Sequence, residues 1–158
     1  MTAFHDDHYI LFLVAGTTYA LPSAEIGHVE IVDEVTRVPN AAPFVDGVVF
    51  SRGQVVPAVN LRVRFGFDRI ATDMRSRLLV VQARGRTIGL VVDACREFLT
   101  IPADAIAPPG EALGGGTAHY LTGIATVGDR LIVIVDVEEL FNAIDPALNE
   151  PAEALREG

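Results

Sequence analysis

A chain of 158 residues, half of them hydrophobic, is long enough to bury a core without staples. Its formal charge of −9 (21 acidic against 12 basic side chains, every basic one an arginine) leaves no general field to attract phosphate backbones or anionic lipid. Nucleic acid is therefore excluded as an expected partner, and so is direct membrane insertion, because glycines, threonines or charges interrupt every apolar run short of the ~18 residues a span needs.

In chain order, residues 1–7 read as a flexible acidic leader without the basic residues and apolar stretch of a signal peptide. His5-Asp6-Asp7-His8 offers four potential metal ligands, but they are consecutive and no second cluster completes a tetrahedral site, so no metal is expected. Strands are predicted at 8–14, 18–21, 28–32, 35–38, 46–51, 54–59, 77–84, 87–93, 95–100, 123–127 and 130–135. They are short, evenly spaced and rich in Val and Ile, which predicts a mainly β protein built as barrels and not an alternating βαβ plan. Single helical turns are predicted at Pro22–Ile26 and Pro102–Ile106. Pro57 cannot donate to a ladder, which places its strand at an edge or a bulge. Asn60 and Asp136 each follow an apolar strand and precede a short apolar-faced segment, the position of a helix N-cap, with Gly66 and Pro146 ending the two helices. Residues 146–158 read as a flexible acidic tail.

Two patterns occur twice. Tyr9–Leu21 and Leu78–Leu90 are hairpins turning at Gly16 and Gly85; Gly47–Leu61 and Gly123–Val137 open on Gly, turn at Arg52-Gly53 or Gly128-Asp129-Arg130, and place Asn60 or Asp136 at the same offset from the glycine. Two hairpins repeated in the same order predict two similar β-units packed together, with Gly16 matching Gly85 and Gly47 matching Gly123.

No catalytic set emerges. Gly110–Thr117 has phosphate-loop spacing but carries Gly116 at the lysine position and follows Pro108-Pro109 instead of a strand, so it reads as a loop. Ser23, Ser51, Ser76 and Cys95 sit in no nucleophile elbow and beside no base at a marked spacing. His28, at the start of a strand, and His119, in a loop, read as structural or surface residues. The lone Cys95 forms no internal disulfide, which favours a reducing cytoplasm, and reads as a half-buried strand thiol. Arg52 differs in kind. It lies at a hairpin tip between two apolar strands, where it serves neither core nor turn, and a rigid hairpin presents its guanidinium as an interface anchor.

From Tyr9 to Phe141 the motifs resemble those of the CheW family, the coupling proteins of bacterial chemotaxis. The most specific pieces are Val35-Thr-Arg-Val-Pro-Asn40, Phe44 to Arg62 with its Gly47 and Arg52-Gly53, Ile88-Gly-Leu-Val-Val-Asp93, Tyr120-Leu-Thr-Gly-Ile124, and Leu131 to Phe141. The resemblance implies a CheW-like domain over 8–145 made of two intertwined, five-stranded, SH3-like β-barrels, with no catalytic residues and no cofactor. It implies an adaptor that binds the cytoplasmic tips of chemoreceptors and the regulatory domain of a histidine kinase, in the cytoplasm at membrane-associated arrays. Carried over residue by residue, the receptor-binding set is Glu30, Gly47, Arg52, Gly53, Cys95 and Phe98; no residue is assigned to the kinase. The family usually reads Asn-Leu-Arg-Gly where this chain has Phe50-Ser51-Arg52-Gly53, and Asp-Leu-Arg where it has Asn60-Leu61-Arg62. The first departure points to an adaptor of a specialised, non-motility or pilus-type chemosensory pathway as the alternative. A small-molecule-binding barrel is the remaining class, without convergent polar groups to support it.

Overall fold

The computed structural model describes residues 7–83, 85–108 and 120–141. Its strands are β1 (Asp7–Val14), β2 (Thr17–Pro22), β3 (Ile26–Ile31), β4 (Val45–Ser51), β5 (Gln54–Asn60), β6 (Arg77–Ala83), β7 (Arg86–Val92), β8 (Ala94–Ile101), β9 (Ile106–Ala107), β10 (Leu121–Val127) and β11 (Arg130–Val135). A helical turn α1 (Leu61–Arg64) follows β5, and α2 (137–141) follows β11. Single 3-10 turns at Ser23–Glu25 and Ala103–Ala105 fall where Pro22 and Pro102 predict them.

The strands form a six-stranded sheet, β8-β1-β2-β11-β10-β9, and a five-stranded sheet, β3-β6-β7-β5-β4. Consecutive hairpins do not share a sheet. The first hairpin, β1-β2, joins the last, β10-β11, through a parallel pair; the two middle hairpins, β4-β5 and β6-β7, join in the same way. The third strands cross over as well, since β3 leaves the first hairpin to pair with β6 and β8 leaves the third to pair with β1. The two units are thus intertwined.

The repeat survives at residue level. In the parallel pairs Ala20 faces Ile134 and Gly89 faces Ala58, so the spacings that relate Gly16 to Gly85 and Gly47 to Gly123 also relate these partners. Register shifts fall between Val45 and Gly47 and between Leu121 and Gly123. Gly47 has φ 145 and a Cβ there would lie 2.1 Å from the Thr36 carbonyl oxygen; at Gly123 it would lie 2.7 Å from that of Ala107. Both are bulge glycines where a neighbouring backbone comes too close for a side chain. The caps repeat too: the Asn60 side chain accepts from Val63 N at 3.3 Å, and Asp136 Oδ1 accepts from Glu139 N at 3.1 Å.

Period-two alternation explains why the central strands read as nearly continuous apolar runs. One face of each strand lines its own barrel, and the other enters a core shared between the sheets. Tyr9 and Leu11 pack with Ala20, Ile101, Ala125, Ile132 and Ile134 in the first barrel, while Leu78 and Val80 pack with Val49, Val56, Ala58 and Val91 in the second. Between them, Phe12, Val14, Leu79, Val81, Ile88 and Leu90 meet Leu61, Leu140 and Phe141. Each fully buried Leu or Ile there contributes about 2 kcal/mol. A ring column threads this shared core: Tyr19 lies 4.9 Å from Phe65, which stacks on Tyr120 at 5.3 Å.

Three local expectations are corrected. The segment 35–38 contributes one bridge, Thr36 to Val48, and no strand. The two-residue β9, which no periodicity marks, holds the matching place beside β10 and gives the first sheet its sixth strand. Pro57 lies on an interior strand, between β4 and β7; its missing N–H is tolerated because the parallel ladder to β7 begins one residue later, at Ala58. The leader's His5, Gly110–Thr117, His119, Pro146 and the tail lie outside the described residues.

Candidate interaction surface

β3 and β8 are each an outer strand of their sheet, and a groove of about 460 Å³ runs beside both. Ile26, Gly27, His28 and Val29 line it from β3, and Cys95 and Phe98 from β8. Cys95 and Phe98 are three apart, which in a regular strand would put them on opposite faces. Leu11 pairs with Glu97 and Phe12 with Cys95, so Arg96 is an extra residue, and this bulge brings both side chains to the groove. Phe98 is 71 % exposed, a large apolar ring held in water by a strand that, among the described residues, ends its sheet. Burial pushes the Cys95 thiol pKa up, opposed by the charge of Arg77, so the thiol is neutral and serves as a soft apolar contact.

His28 joins the groove to a polar cluster. Alternation along β3 puts His28 and Glu30 on one face, and Ser51, at the end of β4, approaches them from the opposite edge of the same sheet. The Ser51 hydroxyl donates to Glu30 Oε2, and His28 Nε2 donates to the same oxygen at 2.5 Å while lying 3.0 Å from Ser51 Oγ. The Ser51 hydrogen bond, more than any other influence, holds the Glu30 carboxyl pKa below its ordinary value; burial opposes this, and His28 and the Arg52 charge reinforce it. A serine, a histidine and a carboxylate in contact suggest a hydrolytic triad, but all three meet at one carboxylate oxygen. The same imidazole nitrogen faces both partners, so it cannot relay a proton between them. The arrangement holds a carboxylate still.

Arg52 and Gly53 form the β4-β5 turn with φ of 49 and 78, and both are exposed. A left-handed arginine costs about 1 kcal/mol, so turn geometry does not explain its presence. Phe50 beside it is 75 % exposed and pairs across the hairpin with exposed Val55. Of the residues singled out in sequence, Cys95 and Phe98 line the groove with His28, Glu30 is joined to it by the His28 hydrogen bond, and the turn of Arg52 and Gly53 follows Ser51, which bonds Glu30. Gly47 does not join them, being buried under the Thr36 backbone. Sequence reasoning missed His28 and Val29 here and marked Phe50 and Ser51 only as departures beside Arg52; the His-x-Glu alternation on a strand was the available signal for the first.

Away from the groove, Arg62 Nε donates to both oxygens of Asp93 at 3.0 Å, and Asp93 Oδ2 accepts from Ala15 N at 2.8 Å. This clamp ties the β1-β2 turn to α1, across the two sheets. Among the described residues, no group of three or more His, Cys, Asp or Glu is placed to hold a metal, and no helix is long and apolar enough to cross a membrane.

The family model for the CheW-like domain matches residues 8–145. The chemotaxis protein CheW of Klebsiella aerogenes is 30% identical over 140 residues, which is 89% of this chain and 84% of that protein. The chemotaxis protein CheW of Helicobacter pylori is 34% identical over 135 residues, 84% of this chain and 80% of that one. The crystal structure of the scaffolding protein TtCheW from Thermoanaerobacter tengcongensis superposes with a TM-score of 0.76 at 29% identity, covering 82% of this chain and 88% of that one.

Proposed function

The chain belongs to the CheW family, and from that premise we propose that it is a non-catalytic adaptor coupling the cytoplasmic tips of chemoreceptors to a chemotaxis histidine kinase. The observation that carries this reading is the groove beside β3 and β8, lined by Cys95, Phe98 and His28, with Glu30 bonded to His28 and the Arg52 charge acting on Glu30. An apolar groove with a fixed carboxylate and a raised guanidinium at its rim suits a helical hairpin with an apolar stripe and polar flanks. In this reading Phe98 and Val29 supply buried area, Arg52 the anchor, Glu30 an acceptor, and Gly53 the turn that presents Arg52. Gly47 acts from beneath by fixing the β4 bulge. The kinase regulatory domain binds elsewhere on the barrels, so that one adaptor, as a single CheW-like domain over 8–145, bridges both partners in the cytoplasm at the receptor array.

A second reading, the scaffold of a specialised chemosensory pathway, is favoured by Phe50 and Ser51 standing where the family usually has Asn and Leu. Affinity capture from the native cell, read by mass spectrometry, tests both. Recovery of chemoreceptors and a histidine kinase supports the adaptor, and the identity of that kinase decides between the pathways. Capture that yields neither receptor nor kinase, with a metabolite stabilising the protein instead, contradicts the adaptor.

A further inference from the structure

We infer that Ser51 and His28 are positioning residues which hold the Glu30 carboxylate in place for the partner, making this seam a specificity element of this chain; the inference rests on the adaptor reading above. β3 and β4 are the two outer strands of the five-stranded sheet, and no ladder connects them. The cluster bridges them with side chains alone. Ser51 is 4 % exposed and sits at the foot of the Arg52 turn, so its hydroxyl ties the hairpin that carries Arg52 to the strand that carries Glu30. Both donors converge on Oε2, and neither engages Oε1. The result is a fixed Glu30 carboxylate with the oppositely charged Arg52 on the adjoining turn and the exposed Phe50 ring alongside. A leucine at position 51, as the family usually has, could not donate to Glu30, and the carboxylate would then be free to rotate. The partner that fits carries a donor, such as an arginine, glutamine or amide, opposite Glu30, and an acceptor within one helical turn of it opposite Arg52.

The test measures binding of a soluble fragment bearing the cytoplasmic hairpin tip of a chemoreceptor from the same organism, alongside melting temperature and an NMR titration of the Glu30 side-chain carboxyl. Ser51→Ala is expected to weaken binding about threefold to tenfold, the cost of ordering on binding a carboxylate that the free protein no longer holds. It should also move the Glu30 titration up towards the ordinary value, and Ser51→Thr should restore both. In a Glu30→Ala background, where there is no group left to position, Ser51→Ala should weaken binding no further. His28→Ala should act in the same direction, which keeps the test intact if Ser51→Ala fails to fold. If Ser51→Ala and His28→Ala bind like wild type while Arg52→Asp and Phe98→Asp do not, the positioning role is overturned and the adaptor surface stands. Unchanged binding in all four variants would overturn both.

Discussion

Arg52→Asp separates an interface anchor from a solvated turn residue. The substitution should be mild for the fold. Arg52 is exposed and holds φ 49, a conformation that Asp adopts more readily than Arg, and its charge contributes least among the influences on Glu30. Stability should therefore change by no more than about 0.5 kcal/mol, a shift of about 1–2 °C in melting temperature for a domain of this size. Binding should respond differently. Loss of a central interfacial arginine commonly costs about 2 kcal/mol or more, roughly thirtyfold in affinity, and the new carboxylate beside Glu30 repels the acceptor that Arg52 would have met. Calorimetric titration with a receptor-tip fragment, with a thermal melt of the same preparation, reads both quantities. Wild-type affinity in the mutant would refute the anchor, and a drop of several degrees in melting temperature would show that Arg52 has a structural role which the turn geometry does not predict.

Other expectations bear on the scaffold. Gly47→Ala, which combines φ 145 with a Cβ 2.1 Å from the Thr36 oxygen, should destabilise by about 3 kcal/mol or more in denaturant melts; Gly123→Ala, without a positive φ, should cost less, and the reverse order would contradict the bulge argument. Asp93→Ala leaves Arg62 and the Ala15 N–H without their shared acceptor and should cost about 2 kcal/mol, which urea unfolding would detect. Because the folded-state pKa of Glu30 is lowered, its stabilisation is present above the ordinary value of 4.5 and is lost as pH falls through the folded value. The melting-temperature gap between wild type and Glu30→Gln should therefore be widest above pH 4.5 and close on acidification; a gap that persisted in acid would contradict the assignment.

The hairpins were legible in the sequence because each carries its own turn glycine between short apolar runs; at Leu78–Val81 the run is unbroken because successive side chains enter two different cores. How the hairpins combine was not legible. Nothing local distinguishes pairing β2 with β5 from pairing it with β11, since the competing strands are related by the repeat and are equally apolar; the choice is made by packing. Residues joined to backbone several strands away were equally hidden, such as Thr36 over Gly47 and β9 over Gly123. At the surface, Arg52 was legible from its place at a hairpin tip and Glu30 and Phe98 from family resemblance, whereas what links them was not. Ser51 read as an isolated hydroxyl because its partners lie on β3, and the bulge at Arg96 that turns Phe98 and Cys95 to one groove has no marker in Ala94-Cys-Arg-Glu-Phe98.

The proposed adaptor function requires that this protein link two partners through modest pairwise contacts, with high effective concentration at a receptor array making them sufficient. Autophosphorylation of the cognate histidine kinase on receptor-bearing membranes, followed as this protein is titrated in, tests that claim most directly. Activity should rise only when receptor, kinase and adaptor are all present, and more steeply with clustered receptors than with monomeric soluble tips. Kinase activity indifferent to this protein, or stimulated equally by clustered and monomeric receptor, would contradict it.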